Sequence, residues 1–418
     1  MNQPIFDIII VGSGLVGASL AASLRQTDLK IAVIDLQPWA TATTEVTSYD
    51  ERVIALNYTS KQILQGLGAW QVGLEQYSAP IRQIHISEQG GFGFTRLAAQ
   101  ELNLPALGYV ISANQLLQTI QSVVTPQTAP NVTIFTPAQL IQLQRQSSCA
   151  TATITTGTTT QSLTARLIVA ADGGNSPVRQ LLNVDCQEYS YQQTAIIANV
   201  TIEQSHQHIA YERFGRAGTI ALLPLPNNLC SLVWSIKTAQ QDEYMQLSDQ
   251  AFLARLQQHF GWRLGRFLKL GRRVAHPLRL MHISQLVQPH VVFIGNAAHT
   301  LHPVAGQGLN LGLRDVASLA DLLSQTAPEA IGNQEILQNY VTRQHPDHQR
   351  VITITDSLVK TFANDFTAMR WARNLSLLAI DALPPLKKLF VQQMTGLSAY
   401  PSRLTSGLNV QTKKSEPE

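Results

Sequence analysis

The hydrophobic pattern opens with a short block. Residues 6–11, Phe-Asp-Ile-Ile-Ile-Val, are almost continuously apolar, as in a strand buried on both faces of a parallel sheet. Glycines follow. Residues 18–25 then combine helix-forming composition with small side chains on one face, and a second apolar block at 31–34 is closed by Asp35. This order predicts a βαβ unit. Residues 50–70 are mixed polar and predict helix. Residues 112–124 predict another, with Leu116, Leu117, Ile120 and Val124 along one face.

Alternating and Gly-rich stretches at 80–105 and 131–171 predict antiparallel strands, the Thr-rich run 151–160 reading as a hairpin. The longest β-rich block spans 185–285. It holds strands at 196–202, 218–223 and 230–236, a turn at Pro224-Leu225-Pro226-Asn227-Asn228, and a helix near 249–260. A buried strand at 291–294 runs into a Gly/His/Pro loop and a helix from about 310 to 325. Beyond 328 the pattern is helical, and the polar tail 411–418 is expected to be disordered.

Nucleotide-type elements therefore recur near residues 12, 172 and 295, with β-rich sequence between them. The fold class expected is α/β. A Rossmann-like cofactor-binding domain (1–75, 105–184 and 286–330) is interleaved with a β-sheet substrate domain (76–104 and 185–285), followed by a helical region at 331–410.

Composition narrows the function classes. Of 418 residues, 44% are hydrophobic and 14% charged, which excludes a disordered chain. A net charge of +3 without a long basic run or DNA-binding motif argues against nucleic acid. Cys149, Cys186 and Cys230 are scattered and odd in number, as expected of reduced thiols in the cytoplasm. No apolar run reaches membrane-spanning length, so the expectation is a cytoplasmic protein, soluble or held peripherally at the inner face of the membrane.

Three motifs carry the chemistry. In Gly12-Ser13-Gly14-Leu15-Val16-Gly17, Gly12 permits the turn, Gly14 lets the backbone approach a pyrophosphate, and Gly17 allows close helix–strand packing. The following helix points free N–H groups at the phosphates, and Asp35 stands where a carboxylate accepts ribose hydroxyls. The motif alone does not separate FAD from NAD. The second motif is an apolar strand entering Asp172-Gly173, with Arg179 beyond it. The third is a strand ending at Gly295-Asn296-Ala297-Ala298-His299, followed by Pro303-Val304-Ala305-Gly306-Gln307-Gly308-Leu309-Asn310. His299 and His302 have a spacing that invites a metal reading, but no partner carboxylate is evident near them, and no metal is expected.

In this order and at these spacings the chain resembles the FAD-dependent aromatic hydroxylases of the para-hydroxybenzoate hydroxylase type, and within them the ubiquinone-biosynthesis hydroxylases. Further stretches extend the resemblance over nearly the whole chain, among them Glu51-Arg52-Val53-Ile54, Tyr211-Glu212-Arg213-Phe214, Gly312-Leu313-Arg314-Asp315 and Leu383-Pro384-Pro385-Leu386-Lys387. The resemblance implies that Gly12, Gly14, Gly17 and Asp35 serve the pyrophosphate and adenosine ribose, and that Arg52 approaches the flavin. It implies that Asp172 and Gly173 serve FAD and the reducing nucleotide, and that Gly295 and Asn296 bind the ribityl chain. Pro303, Gly306, Gln307, Gly308, Leu309 and Asn310 would line the isoalloxazine ring, with His302 beside that loop. No residue is assigned a certain catalytic role.

Asn296 replaces the family's usual Asp, a variant associated with the branch acting on 2-polyprenyl-6-methoxyphenol. Asp35 replaces the commoner Glu. The Arg that many relatives carry near Ala113 is absent.

The activity implied is ring hydroxylation of a polyprenylated phenol through a flavin hydroperoxide. FAD is the cofactor, NAD(P)H or another reductant the electron donor, and O₂ the cosubstrate. The alternatives are a hydroxylase of a small soluble aromatic and an FAD-bearing, non-catalytic subunit of a quinone-biosynthesis complex. Such a complex is also among the expected partners. In the C-terminal region, Leu375, Leu377, Leu378, Leu383, Leu386, Leu389, Phe390 and Val391 interleave with Arg370, Arg373, Lys387 and Lys388. That pattern fits either a packed helical subdomain with a solvated basic edge or a surface that touches membrane or partner protein.

Overall fold

The computed structural model describes residues 6–39, 49, 52–215, 218–302, 306–362 and 367–410; the side chains of residues 362 and 367–370 lie outside that description. Pro303 and the tail 411–418 therefore fall outside the described residues.

The first sheet explains the unbroken apolar blocks. Phe6–Val11 pairs in parallel with Ile31–Ile34 on one side and with the end of Thr159–Ala170 on the other. Val132–Phe135 and Val291–Phe293 extend the parallel array outward. Ile8, Ile9 and Ile10 are fully buried, in one core with the Leu15–Leu24 helix and the Ala150–Thr156 strand. The first half of Thr159–Ala170 leaves this array to form the Thr-rich hairpin with Ala150–Thr156. Gly295, Asp172, Gly12 and Asp35 thus emerge at the carboxyl ends of four neighbouring strands, where ligands of open α/β sheets bind.

The second sheet has nine strands centred on Cys186–Ile202, which pairs with Leu229–Lys237 and Val274–Ile283. Gln83–Glu88 and Phe94–Ala98 join its far edge through a parallel pairing with Ile209–Gly215. Because side chains alternate across a strand, Ile196, Val200, Leu232 and Trp234 point to one face and pack under the Asp249–Phe260 helix. Gln193, Ala195, Ile197 and Val233 point to the other.

Three sequence expectations require correction. Residues 50–70 are not helical throughout: Val53–Asn57 is a strand, paired with Gly108–Ser112, before the Tyr58–Gly66 helix begins. The helix expected from about residue 310 spans Gln307–Ser324, because Gly306 adopts φ +60° and starts it one turn earlier. Two of the four residues of the expected basic edge of the C-terminal helices are paired with acids. Arg373 is buried against Glu88 at 2.6 Å, and Lys387 binds Glu101 at 2.7 Å and Asp381 at 3.4 Å. The apolar half of that pattern is divided: Leu377 and Val391 are buried, while Leu375, Leu383, Leu386 and Leu389 are exposed. No helix among the described residues is long and apolar enough to cross a membrane.

Candidate active site

The glycine turn follows directly from the first strand. Gly12 has φ +103°, and a Cβ there would lie 2.4 Å from the Ala171 carbonyl oxygen; one on Gly17 would lie 1.9 Å from the Gly12 oxygen. Gly14 differs. It is exposed, and a Cβ on it would meet nothing within 4 Å. Two of the glycines pack backbone on backbone, and the third faces an open cradle. Gly14 is the N-cap of the Leu15–Leu24 helix, with no side-chain capping bond, so amides of the first turn remain available to an anion.

Asp35 is engaged by the protein. Its Oδ2 accepts from the Ser13 amide at 2.5 Å and the Ser13 hydroxyl at 2.9 Å, and its Oδ1 accepts from the Gln37 amide at 2.8 Å. The carboxylate braces the glycine loop. Sequence reasoning missed Gln121, whose amide donates to the Ser13 carbonyl at 3.0 Å from the Ala113–Ser122 helix.

The second and third motifs are tied together by Arg179. Its guanidinium donates to the Gly174 carbonyl at 2.5 Å and to the Ala297 carbonyl at 3.0 Å. Asp172 accepts from the Val178 amide at 2.9 Å, and burial raises its pKa. Gly173 takes φ +86°. Gly295 packs on Val16, and its amide donates to Asp315. Asn296 is exposed between buried neighbours, so its amide faces outward from the turn. Asn296→Leu is expected to weaken FAD retention several-fold, the worth of about one hydrogen bond, without lowering the unfolding midpoint; equilibrium dialysis and a urea titration measure the two effects.

At the start of the Gln307–Ser324 helix, the Asn310 side chain is fully used by protein. Its oxygen accepts from the Asn57 amide at 2.9 Å and the Ser60 hydroxyl at 2.7 Å, and its nitrogen donates to the Gly306 carbonyl at 2.6 Å and the Ala55 carbonyl at 3.1 Å. Asn310 therefore fixes the loop to the strand that follows Arg52, and any ligand contact at this residue falls to its backbone. A Cβ on Gly308 would meet nothing within 4 Å, a second open position, whereas Gly306 packs against Ala55. Gln307 is buried and Leu309 packs on the core. Arg52 is exposed and bears electrostatically on His276 of the second sheet.

His302 is buried, its ring edge-on to Tyr191 at 5.2 Å and its Nε2 3.3 Å from the Gln193 amide oxygen. Burial pushes its pKa down to about 4. The unfolded chain, with an ordinary value near 6.5, therefore binds the extra proton first. His302 supplies stability that is complete above about pH 6.5 and lost as pH falls toward 4. Between pH 7 and 5, His302→Gln is expected to lose about 2 kcal/mol less stability than the parent. Urea unfolding at the two pH values measures the difference, and equal losses would exclude this role.

Sequence reading found no carboxylate near His299. The structure supplies one. Asp315 is fully buried, 3.0 Å from His299 Nε2 and 2.6 Å from His348 Nε2, and it also accepts from the Gln344 amide at 2.8 Å and the Gly295 amide at 2.9 Å. Burial opposes its ionisation, but the charge of His348 and the hydrogen bonds from both imidazoles outweigh burial and hold the carboxyl well below the usual range. The cluster has metal-ligand composition, yet the facing atoms are already engaged with one another. It reads as a hydrogen-bonded knot joining the Gly295 turn, the Gln307–Ser324 helix and the Gln334–Phe362 helix. The one available signal was the adjacent Arg314-Asp315 pair within a helix rich in leucine and small residues.

The fit to FAD rests on these positions: open Gly14 and Gly308 backbones, each at a helix N-terminus, and an outward-facing Asn296 between them. The model of the FAD binding domain family matches residues 6–355. The chain belongs to this family. Its relatives include a ubiquinone hydroxylase, UbiL, of Rhodospirillum rubrum, 36% identical over 96% of this chain and 93% of the relative. The 3-demethoxyubiquinol 3-hydroxylase of Escherichia coli is 32% identical over 95% and 100%. Among solved structures, the p-nitrophenol 4-monooxygenase PnpA of Pseudomonas putida superposes with a TM-score of 0.77 at 15% identity, covering 96% of this chain and all of that one. This family member is thus an FAD-dependent aromatic monooxygenase, and the likeness to PnpA shows the shared fold.

Proposed function

We propose that the protein hydroxylates the ring of a polyprenylated phenol on the way to ubiquinone, with 2-polyprenyl-6-methoxyphenol as substrate. The observation that carries this reading is the meeting of three flavin-type motifs at one sheet end, in a chain matched along its length by ubiquinone hydroxylases. Bound FAD, reduced by a nicotinamide or another donor, supplies the activation of O₂. The protein's part is positional. Gly14 and the Leu15–Leu24 helix would hold the phosphates, Asn296 would bind the ribityl chain, and amides at the start of the Gln307–Ser324 helix would favour negative charge on the flavin. His302, neutral through burial, walls the site without adding charge.

The E. coli relative favours a second reading, in which a demethoxyubiquinol is the substrate. Deletion of the gene separates the two. Accumulated 2-polyprenyl-6-methoxyphenol supports the first, accumulated demethoxyubiquinone the second, and unchanged ubiquinone neither. Contact with the membrane surface or with a quinone-biosynthesis complex is proposed through the exposed Leu375, Leu386 and Leu389.

A further inference from the structure

A cavity of about 390 Å³ lies between the second sheet and the C-terminal helices, within the range of small-molecule sites. Ile86, Thr95 and Phe214 form its floor, and Leu377, Phe390 and Met394 its apolar walls. Two charged residues line it: Arg373, which is bound to Glu88 and to the Thr361 carbonyl, and Glu212, which is buried at the sheet. The rim is made by Thr353 and Ser357 of one helix and Ala372 and Ser376 of the next, all exposed. Trp371 and Leu375, beside that rim, are also exposed.

The floor connects to the active site by strand register. Ile197 lies opposite Val233, Val233 opposite Ala221, Ala221 opposite Glu212, Glu212 opposite Ile86, and Ile86 opposite Thr95. Opposed residues share a face, so these six form one row. Gln193, the partner of His302, is on that same face of the Ile197 strand. Ile197, Val233 and Ala221 are only half-buried, whereas Glu212, Ile86 and Thr95 are covered. The row is thus an open strip of small and apolar side chains at its His302 end and a roofed cavity at the other. Four strand spacings separate Ile197 from Ile86, about 19 Å. A bare phenol cannot occupy both ends; a ring with a long apolar tail can.

We propose that this cavity is a binding site for the isoprenoid tail of the substrate, with the ring at the Ile197 end and the chain leaving through the Thr353–Ser376 rim. The inference rests on the function proposed above, which supplies the tail. The specificity it creates is for chain length, since each further buried CH₂ tightens binding by about fourfold.

The test uses the FAD-loaded protein and two probes, a 2-methoxyphenol bearing a farnesyl chain and the same ring bearing a methyl group. Ser376→Trp and Thr353→Trp, on different helices, each place an indole in the mouth from an exposed position. Each is expected to raise KM for the farnesyl probe at least tenfold while leaving kcat and the methyl probe unchanged; normal turnover of the methyl probe also certifies folding. Unchanged KM for the farnesyl probe in both variants, or equal changes for both probes, overturns the proposal and leaves the hydroxylase reading intact. If the parent protein turns over neither probe, calorimetric titration with farnesol decides. Binding that both Trp variants abolish keeps the cavity assignment while the substrate reading falls, and no binding to the parent ends both.

Discussion

Replacing Asp315 by alanine is expected to yield protein that purifies without flavin and is less stable by about 3–5 kcal/mol, the usual cost of removing one partner from a buried charged network. The carboxylate receives hydrogen bonds from Gly295, His299, Gln344 and His348 and has no exposed surface. Without it, donors from three elements are left buried with no acceptor. The Gly295 turn then loses its tether just before Asn296. Asp315→Asn keeps the shape but has only one acceptor oxygen and places an NH₂ against imidazole donors, so an intermediate loss is expected. Because the folded carboxyl titrates below its ordinary value of 3.8, its contribution is fully present above that pH and is lost only as pH falls further. Flavin absorbance per chain and urea midpoints measure the two effects; full flavin content in Asp315→Ala would refute the tethering role.

The contrast between this knot and the glycine turn shows what a sequence makes legible. Consecutive Ile8, Ile9 and Ile10 specify a strand covered on both faces, and the glycines that follow have local geometric reasons, so both are visible in a short window. Asp315 has no local reason. It sits in a helix that also carries Asn310, Arg314 and Asp321, so nothing local singles it out, and its partners His348 and Gln344 come from a helix without a motif. Arg373 and Lys387 looked like a basic edge because their acids, Glu88 and Glu101, lie far away in the sequence. Long-range charge pairing leaves no periodic trace. The Val53–Asn57 strand was hidden differently: five residues directly preceding a helix carry too few alternations to separate strand from helix. The helix start at Gln307 depended on the left-handed backbone of Gly306, which a glycine permits but does not impose.

Alanine at Gly14 and alanine at Gly17 should have opposite signatures, although both belong to one motif. At Gly17 the new Cβ would sit 1.9 Å from the Gly12 carbonyl oxygen and 3.3 Å from the Ala171 side chain. Backbone cannot yield as a flexible side chain can, so the Leu15–Leu24 helix must move off the strand turn. A loss of several kcal/mol is expected, with flavin lost as a consequence. At Gly14 the Cβ meets no protein atom, and φ −65° suits an L-residue. Entropy lost from the unfolded chain favours alanine by about 0.4–1 kcal/mol, while alanine is the poorer N-cap by a comparable amount. Stability should stay within about 1 kcal/mol of the parent. The added methyl nevertheless occupies the space through which a pyrophosphate would approach the helix amides, so FAD affinity should fall at least tenfold. Urea unfolding of the flavin-free proteins, set beside FAD titration by fluorescence quenching, distinguishes the two. A Gly14→Ala protein that binds FAD as tightly as the parent would mean that the phosphates do not lie over this turn.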